Sequence, residues 1–437
     1  MTSSLEIELL SVLSEARGVL TTQDSLRVLM GLLALRRALG GSLARLTAAH
    51  SPADALDGAV DAVRRTDQVV ADALATLLMP LRRERSTVPA LLRTVEHLAE
   101  RARPSELLTV FARVCAEGVK EGMSGFAAAN LLHLVTHLAM QTPGGRLADP
   151  FCGPGLILAS AALDQQLRPS GVVGWERNVG AVALARAAFV ALGVPGVVDE
   201  ANALVAPPAT DLFDAVVCAP PINMQAPPQL HLEAGGRFQF GVTTRHADWL
   251  FVQHVLSILD PEGTAAILTG KGMLFRSGSE AQVRRRLVEA DIIDAVIGLP
   301  PGLHPGTSIA TCILVLRRNR SSERSGSILC VDVPKDAVAA SDLQIEVVTQ
   351  ILELWKNYRE SSGLVRARKI SARELEAAEF SLDPVRHLPT ESPAEMRPIA
   401  ELAEDLRAAR AAARASAARL GRVLEDLIAT CNPDTHR

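Results

Sequence analysis

Between residues 144 and 335 the chain repeats a pattern that few architectures accept: short, nearly unbroken apolar runs, set off by Gly or Pro and alternating with helical stretches. The runs are GRLAD, GVVGWE, DAVVCA, GTAAILT, IIDAVIGL, TCILVL and SILCVDV. A strand with one face in water alternates apolar and polar residues. A strand covered on both faces does not, and sheets covered on both faces are largely parallel ones with helical crossovers. The pattern therefore predicts a doubly wound α/β domain over 141–338. Before it, 1–140 is rich in Leu, Ala and Arg with apolar residues three and four apart, which predicts amphipathic helices, with Pro80, Pro89 and Pro104 near their ends. After it, 339–437 returns to helix and loop. Its last segment, 399–428, carries Leu402, Leu406, Leu420, Leu424 and Leu427 on one stripe continued by Ala409, Ala413 and Ala417. Small residues on such a stripe allow close helix approach, so this helix can pack on its own chain or on a partner, in a homo- or hetero-oligomer.

Composition removes several classes. With 48% hydrophobic and 22% charged residues the chain has the balance of a globular protein. Aromatics are only 3%, so few rings remain for stacking on bases. The formal net charge is -4, and no global excess of positive charge draws the chain to a polyanion. Contact with DNA then needs a local patch or a partner. The six Cys form no CxxC pair, which suggests neither a zinc ribbon nor a disulfide framework and points to a reducing cytoplasm. The start MTSSLEIELL lacks the pattern of a signal peptide, and the apolar stretch Val28 to Leu35 is too short to span a bilayer, so no membrane role is expected.

The strongest local signal is RLADPFCGPG, from Arg146 to Gly155, a strand running into an acidic residue and a glycine-bearing turn before the helix LILASAAL. In a Rossmann-like sheet the first strand ends at the ligand crevice, where glycines let a cofactor approach the backbone at a helix N-terminus. The dinucleotide pattern GxGxxG is absent. About twenty residues later GVVGWE ends in Glu176, placed to accept from both hydroxyls of a ribose. Each feature alone has a plain structural explanation: Asp149 can cap a helix and Gly153 can make a turn. Their joint spacing points to S-adenosylmethionine (SAM). A third strand, DLFDAVVCAPPIN, stops at Ala219, Pro220 and Pro221, whose rings end it sharply and hold a rigid loop over the crevice.

These motifs resemble those of the methylation subunits of type I restriction-modification systems, an adenine-N6 DNA methyltransferase family. DPFCGPG is similar to the family's SAM turn, usually DPxCGSGG, and WERN to its ribose-binding segment. The stretch from ADWLFVQHVLSILDPEG through TCILVLRRNR follows the family most closely, and weaker likeness reaches SLRVLMGLLALRRALGG and FSLDPVRHL. The resemblance implies a SAM-dependent methyltransferase whose turn comprises Asp149, Pro150, Cys152, Gly153 and Gly155, with Glu176 and Arg177 at the ribose and Asn202 at the adenine. It also implies DNA contact through a separate specificity subunit, for which the 399–428 helix is the candidate surface.

Two departures qualify that reading. The family's catalytic Asn-Pro-Pro-Phe reads Ala219-Pro220-Pro221-Ile222 here, without the side-chain acceptor and the ring that hold a flipped base. The amide of Asn223 is the nearest in sequence that can compensate. Upstream, the family's Gly-Glu-Phe-Tyr-Thr-Pro segment is replaced by EGMSGFAAAN, with only Phe126 to take part of that space. Pro154 and Leu156 also stand where the family prefers Ser and Gly, and Leu156 is placed to narrow the pocket. A catalytically impaired SAM-binding scaffold, or a methyltransferase redirected to a non-nucleic substrate, therefore stays open beside the DNA methylase.

Other residues have plainer readings. Phe238 and Phe240 can offer a stacking surface in place of Ile222 or simply anchor a loop. His133 and His137, one helical turn apart, could share a metal, but with no acidic ligand nearby and no HExxH arrangement we read them as a packed helix face, and expect no metal. Arg284, Arg285, Arg286, Arg317, Arg318 and Arg320 are either a phosphate-facing patch or a solvated face with Glu280 and Glu289 close by.

Overall fold

Short polar side chains and prolines set the starts of the N-terminal helices. In the computed structural model, which describes residues 20–119, 128–205, 212–228, 236–303, 309–339, 342–388 and Arg407, α1 (Thr22–Ala38) is capped by Thr21, whose hydroxyl accepts from the Asp24 amide at 3.0 Å. Asp67 caps α3 (Gln68–Leu77) in the same way through the Val70 amide, and α2 (Pro52–Arg64) has a proline in its first turn. A proline in the first turn loses no intrahelical bond, and Pro89 and Pro104 occupy that position in α4 (Val88–Arg101) and α5 (Pro104–Val119). The last helix of this group, α6 (Ala129–Ala139), leads into the sheet.

The sheet has ten strands in the order β11-β12-β8-β6-β7-β5-β4-β1-β2-β3. Each apolar run of the sequence is a strand: β1 (Arg146–Asp149), β2 (Gly171–Glu176), β4 (Phe213–Cys218), β5 (Leu259–Gly270), β6 (Ile293–Gly298), β7 (Thr311–Arg317) and β8 (Ser327–Asp332). Of these, β1, β2, β4 and β5, with β3 (Gly196–Glu200), pair in parallel, and β7 lies antiparallel between β5 and β6. From β1 the chain steps outward to β2 and β3, then returns to the other side of β1 for β4 and β5. That reversal leaves a crevice beyond the carboxyl ends of β1 and β4.

Crossover helices cover both faces. On one side α7 (Leu156–Leu163) and α8 (Val179–Leu192) share a continuous apolar cluster with the N-terminal helices. On the other, α9 (Asp248–Ile258) and α10 (Ser279–Glu289) close over Val216, Ile267 and Leu314. The sheet also runs further along the chain than the sequence reading, which gives everything after 338 to a helical extension. Besides the small pair β9 (Val338–Ala339) and β10 (Asp342–Leu343) and the helix α11 (Ile345–Lys356), that stretch contributes β11 (Ser361–Ser362) and β12 (Arg366–Ser371) to the main sheet. In β12 only Ala367 and Ile370 are buried, one on each face of the sheet, so no apolar run marks the strand.

By contacts the chain divides into 1–388 and 389–437. The expected 399–428 helix lies outside the described residues apart from Arg407, and so does most of EGMSGFAAAN. Among the described residues no helix is long and apolar enough to cross a membrane, and Cys115, Cys152, Cys218, Cys312 and Cys330 are buried thiols.

Candidate active site

The turn after β1 is built on glycine conformations. Gly153 and Gly155 have φ of 53° and 81°, in the left-handed region. A Cβ on Gly155 would also stand 3.0 Å from the Phe189 ring and 3.1 Å from Ala185 of α8, so the turn can lie close on that helix only without a side chain there. Two carboxylates hold the turn. Glu176, at the end of β2, accepts from the Gly153 amide at 3.1 Å and from the Asn178 amide at 2.7 Å. Asp149, at the end of β1, accepts from the Phe151 amide at 2.9 Å through one oxygen, while the other is buried without a partner. Burial pushes the Asp149 carboxyl up to about 8; the Phe151 amide opposes this and the charge of Glu176 adds to it.

Five of the residues expected at the cofactor, Pro150, Gly153, Glu176, Arg177 and Asn202, line one crevice together with Pro221 of the β4 loop. Asp149, Cys152 and Gly155 do not line it. Cys152 is buried beneath the turn, where a Cβ on Gly174 would stand 2.7 Å from its sulfur. Leu156 is buried in the core on the α7 side and does not line the crevice. The sequence reading misses the apolar walls: Trp175, Leu204, Met224 and Phe251. Trp175 stands inside the WERN motif and was within reach of it. Phe251 comes from the middle of α9, whose sides are nearly all buried, so no pattern marks the residue that turns to the crevice.

An acidic acceptor at the end of β2, a carboxamide after β3 and apolar walls form a donor set suited to a nucleoside: carboxylate for the ribose hydroxyls, amide for the purine edge, rings and aliphatic groups for the base faces. The residues present thus fit an adenosine-type cofactor.

The acceptor side is different. Of Ala219, Pro220, Pro221 and Ile222, only Pro221 lines the crevice. Ala219 is buried at the end of β4, and Ile222 lies against Gly270 of β5, where a Cβ would meet its methyl at 2.7 Å. Asn223 follows with φ of 58°, and its carboxamide oxygen accepts from Arg276. Arg276 is itself paired with Asp248 at 2.8 Å and Glu280 at 3.1 Å. Backbone bonds from Ala247 to Met224 at 2.9 Å and from Ala226 to Arg245 at 3.2 Å staple the loop further. The loop is rigid, as its prolines suggest, but the amide of Asn223 is committed to Arg276.

The phenylalanine and arginine candidates make internal contacts. Phe238 is fully buried with Leu250 and Phe251, and the Phe240 amide donates to Gln253 at 2.9 Å. The arginines do not form an open phosphate patch. Arg284 donates to the carbonyls of Phe380 at 2.9 Å and Met273 at 3.0 Å, Arg286 to that of Phe240 at 3.1 Å, and Arg318 to that of Leu256. Arg285 pairs with Glu289 at 2.7 Å, Arg317 donates to Thr264 at 3.0 Å, and Arg320 is buried on Asp291 and Asp294.

The family model for N-6 DNA Methylase matches residues 107–396 of this chain. The chain is 27% identical over 274 residues to the type I restriction enzyme MjaVIII methylase subunit of Methanocaldococcus jannaschii, covering 57% of this chain and 47% of that one. It is 34% identical over 163 residues to the type I restriction enzyme MpnII methylase subunit of Mycoplasma pneumoniae, covering 36% and 30%. The matched part is thus less than half of each of these two relatives. In fold the chain is similar to the type I restriction-modification system methyltransferase subunit from Streptococcus thermophilus, with a TM-score of 0.73 at 19% identity over 90% of this chain and 100% of that one.

Proposed function

Because the chain belongs to the N-6 DNA methylase family, we propose that it holds SAM in the crevice beyond β1, β2 and β4 and transfers the methyl group to an exocyclic amine, with adenine in DNA as the acceptor. The observation that carries this reading is the meeting of the glycine turn, Glu176 and Asn202 in one crevice. When bound, the cofactor supplies an electrophilic sulfonium methyl. Glu176, already tied to the Gly153 and Asn178 amides, keeps lone pairs for ribose hydroxyls. Asn202 offers its carboxamide to the purine edge, and Trp175, Leu204 and Phe251 exclude water from the base faces.

For the acceptor, the backbone carbonyls of the Ala219-Pro220-Pro221 segment remain to orient an amine. The side-chain acceptor and the stacking ring are missing, and Asn223 is engaged by Arg276. Loss of one preorganised polar contact costs about 3 kcal/mol in a transition state, so transfer to adenine is slow in this chain by roughly a hundredfold. Target choice falls to a specificity subunit, for which the apolar stripe in the sequence of 399–428 is the candidate surface. The formal charge of -4 and the structural use of the arginines support such delegation. A second reading, a SAM-binding scaffold without transfer, is favoured by the same three features at Ala219, Ile222 and Asn223.

A labelled-methyl assay on DNA with the specificity partner present separates the two. The methyltransferase reading expects weak adenine methylation by the natural chain and an increase of roughly a hundredfold in Ala219→Asn, the converse of losing such a contact. Bound SAM with no methylated adenine from either protein would leave the scaffold reading standing.

A further inference from the structure

At the end of α7 opposite the glycine turn, two imidazoles and a carboxylate converge. His133 and His137 sit one turn apart on α6, so their rings share a face. The carboxylate missing from their sequence neighbourhood arrives from Asp164, which ends α7. His137 Nε2 is 2.8 Å from Asp164 Oδ2, and His133 Nδ1 is 3.5 Å from the same oxygen. The two ring centroids are 3.9 Å apart, and the three ligand-capable atoms all lie within 4.8 Å of one another.

An ion pair would need one imidazole; here two crowd a single oxygen. Were both charged they would repel, and burial together with His137 holds His133 below its ordinary value, which favours the neutral ring a metal requires. Burial of Asp164 acts to raise its carboxyl, but the His137 hydrogen bond, the Gln166 amide and the two rings together hold it below the usual range, so it is ionised. Ligand atoms about 2.0–2.1 Å from a shared tetrahedral ion stand roughly 3.3 Å apart, between the two separations found here. The side chains are 34%, 14% and 18% exposed, so each is partly reached by solvent, which can supply water as a fourth ligand.

We propose that His133, His137 and Asp164 form a three-ligand site for a divalent transition-metal ion, zinc by its nitrogen and carboxylate donors, that clamps α6 to the end of α7. Because α7 starts at the glycine turn and α6 precedes β1, the clamp braces the two segments that flank the first strand. It takes no part in methyl transfer.

The test uses tag-free, full-length protein stripped with chelator. Titration with cobalt(II) should give visible absorption saturating at one equivalent and abolished by zinc, and zinc should raise the thermal midpoint. His133→Gln, His137→Gln and Asp164→Asn, each folded by circular dichroism, should bind zinc more weakly by about tenfold or more, the scale on which even outer-sphere partners act. Absence of saturable binding by the natural chain would overturn the proposal. Equal zinc affinity in a folded His133→Gln, His137→Gln double variant would overturn it as well, by placing the ion elsewhere.

Discussion

Asp149 ends β1 with one oxygen bonded to the Phe151 amide and the other buried without a partner. Its folded-state value of about 8 lies above the ordinary 3.8, so between those limits the folded protein keeps a proton that the unfolded chain releases. The resulting stability is fully present below about pH 4 and is lost as pH rises towards 8, at up to about 1.4 kcal/mol per pH unit. Asp149→Asn, which keeps an acceptor for the Phe151 amide, should flatten the fall of the cofactor-free thermal midpoint across that window. An unchanged slope would show that the carboxyl is already ionised in the fold. The place of Glu176 at the crevice was legible in the sequence because strand ends in such a sheet face it, although Asp149, at the end of β1, is buried and does not line it. The engagement of Asn223 was not, because Arg276 lies 53 residues away along the chain. Nor was Asp164, which spacing could not connect to His133 and His137.

Two elements carry further consequences. The turn into α7 needs Gly155 for both its φ of 81° and its contact with α8. Gly155→Ala should therefore cost about 1–3 kcal/mol of stability and weaken SAM binding, read by denaturant titration and calorimetry. In β6 the fully buried Asp294 accepts from Arg324 at 2.7 Å, Arg320 at 3.2 Å and the Trp355 indole at 2.7 Å. Asp294→Ala strands these donors and should cost about 3–5 kcal/mol in urea denaturation. Loss of less than 1 kcal/mol would mean that the arginines find water instead. This network explains why Arg320, one candidate for a phosphate-facing patch in the sequence, is internal: its acceptors are the Asp291 and Asp294 carboxylates and the carbonyls of Arg324 and Ser327, which local sequence does not reveal. At the same scale, strands buried on both faces were legible as apolar runs. The edge strand β3 was not, since only Val198 of its five residues is buried, and β12 was hidden by its Arg and Lys.

Across residues 20–388 the described helices and strands share cores on both faces of one sheet, with the crevice at its order reversal. Architecture was the most legible level, because periodicity reports burial directly. On the cofactor side motif spacing pointed to Asp149, Gly153 and Glu176 and the family resemblance to Asn202; of these Gly153, Glu176 and Asn202 line the crevice. The acceptor side was legible only as a loss, and the structure adds that the neighbouring amide is occupied. The central claim, a SAM site on Glu176 and Asn202, is tested most directly by calorimetric titration of the folded protein with SAM, repeated on Glu176→Ala and Asn202→Ala. Saturable binding by the natural chain, weakened about tenfold or more in both folded variants, is the predicted result; each lost charge-assisted or buried contact is worth about 1.5–3 kcal/mol. No binding at millimolar SAM, or equal affinity in all three proteins, would contradict the account.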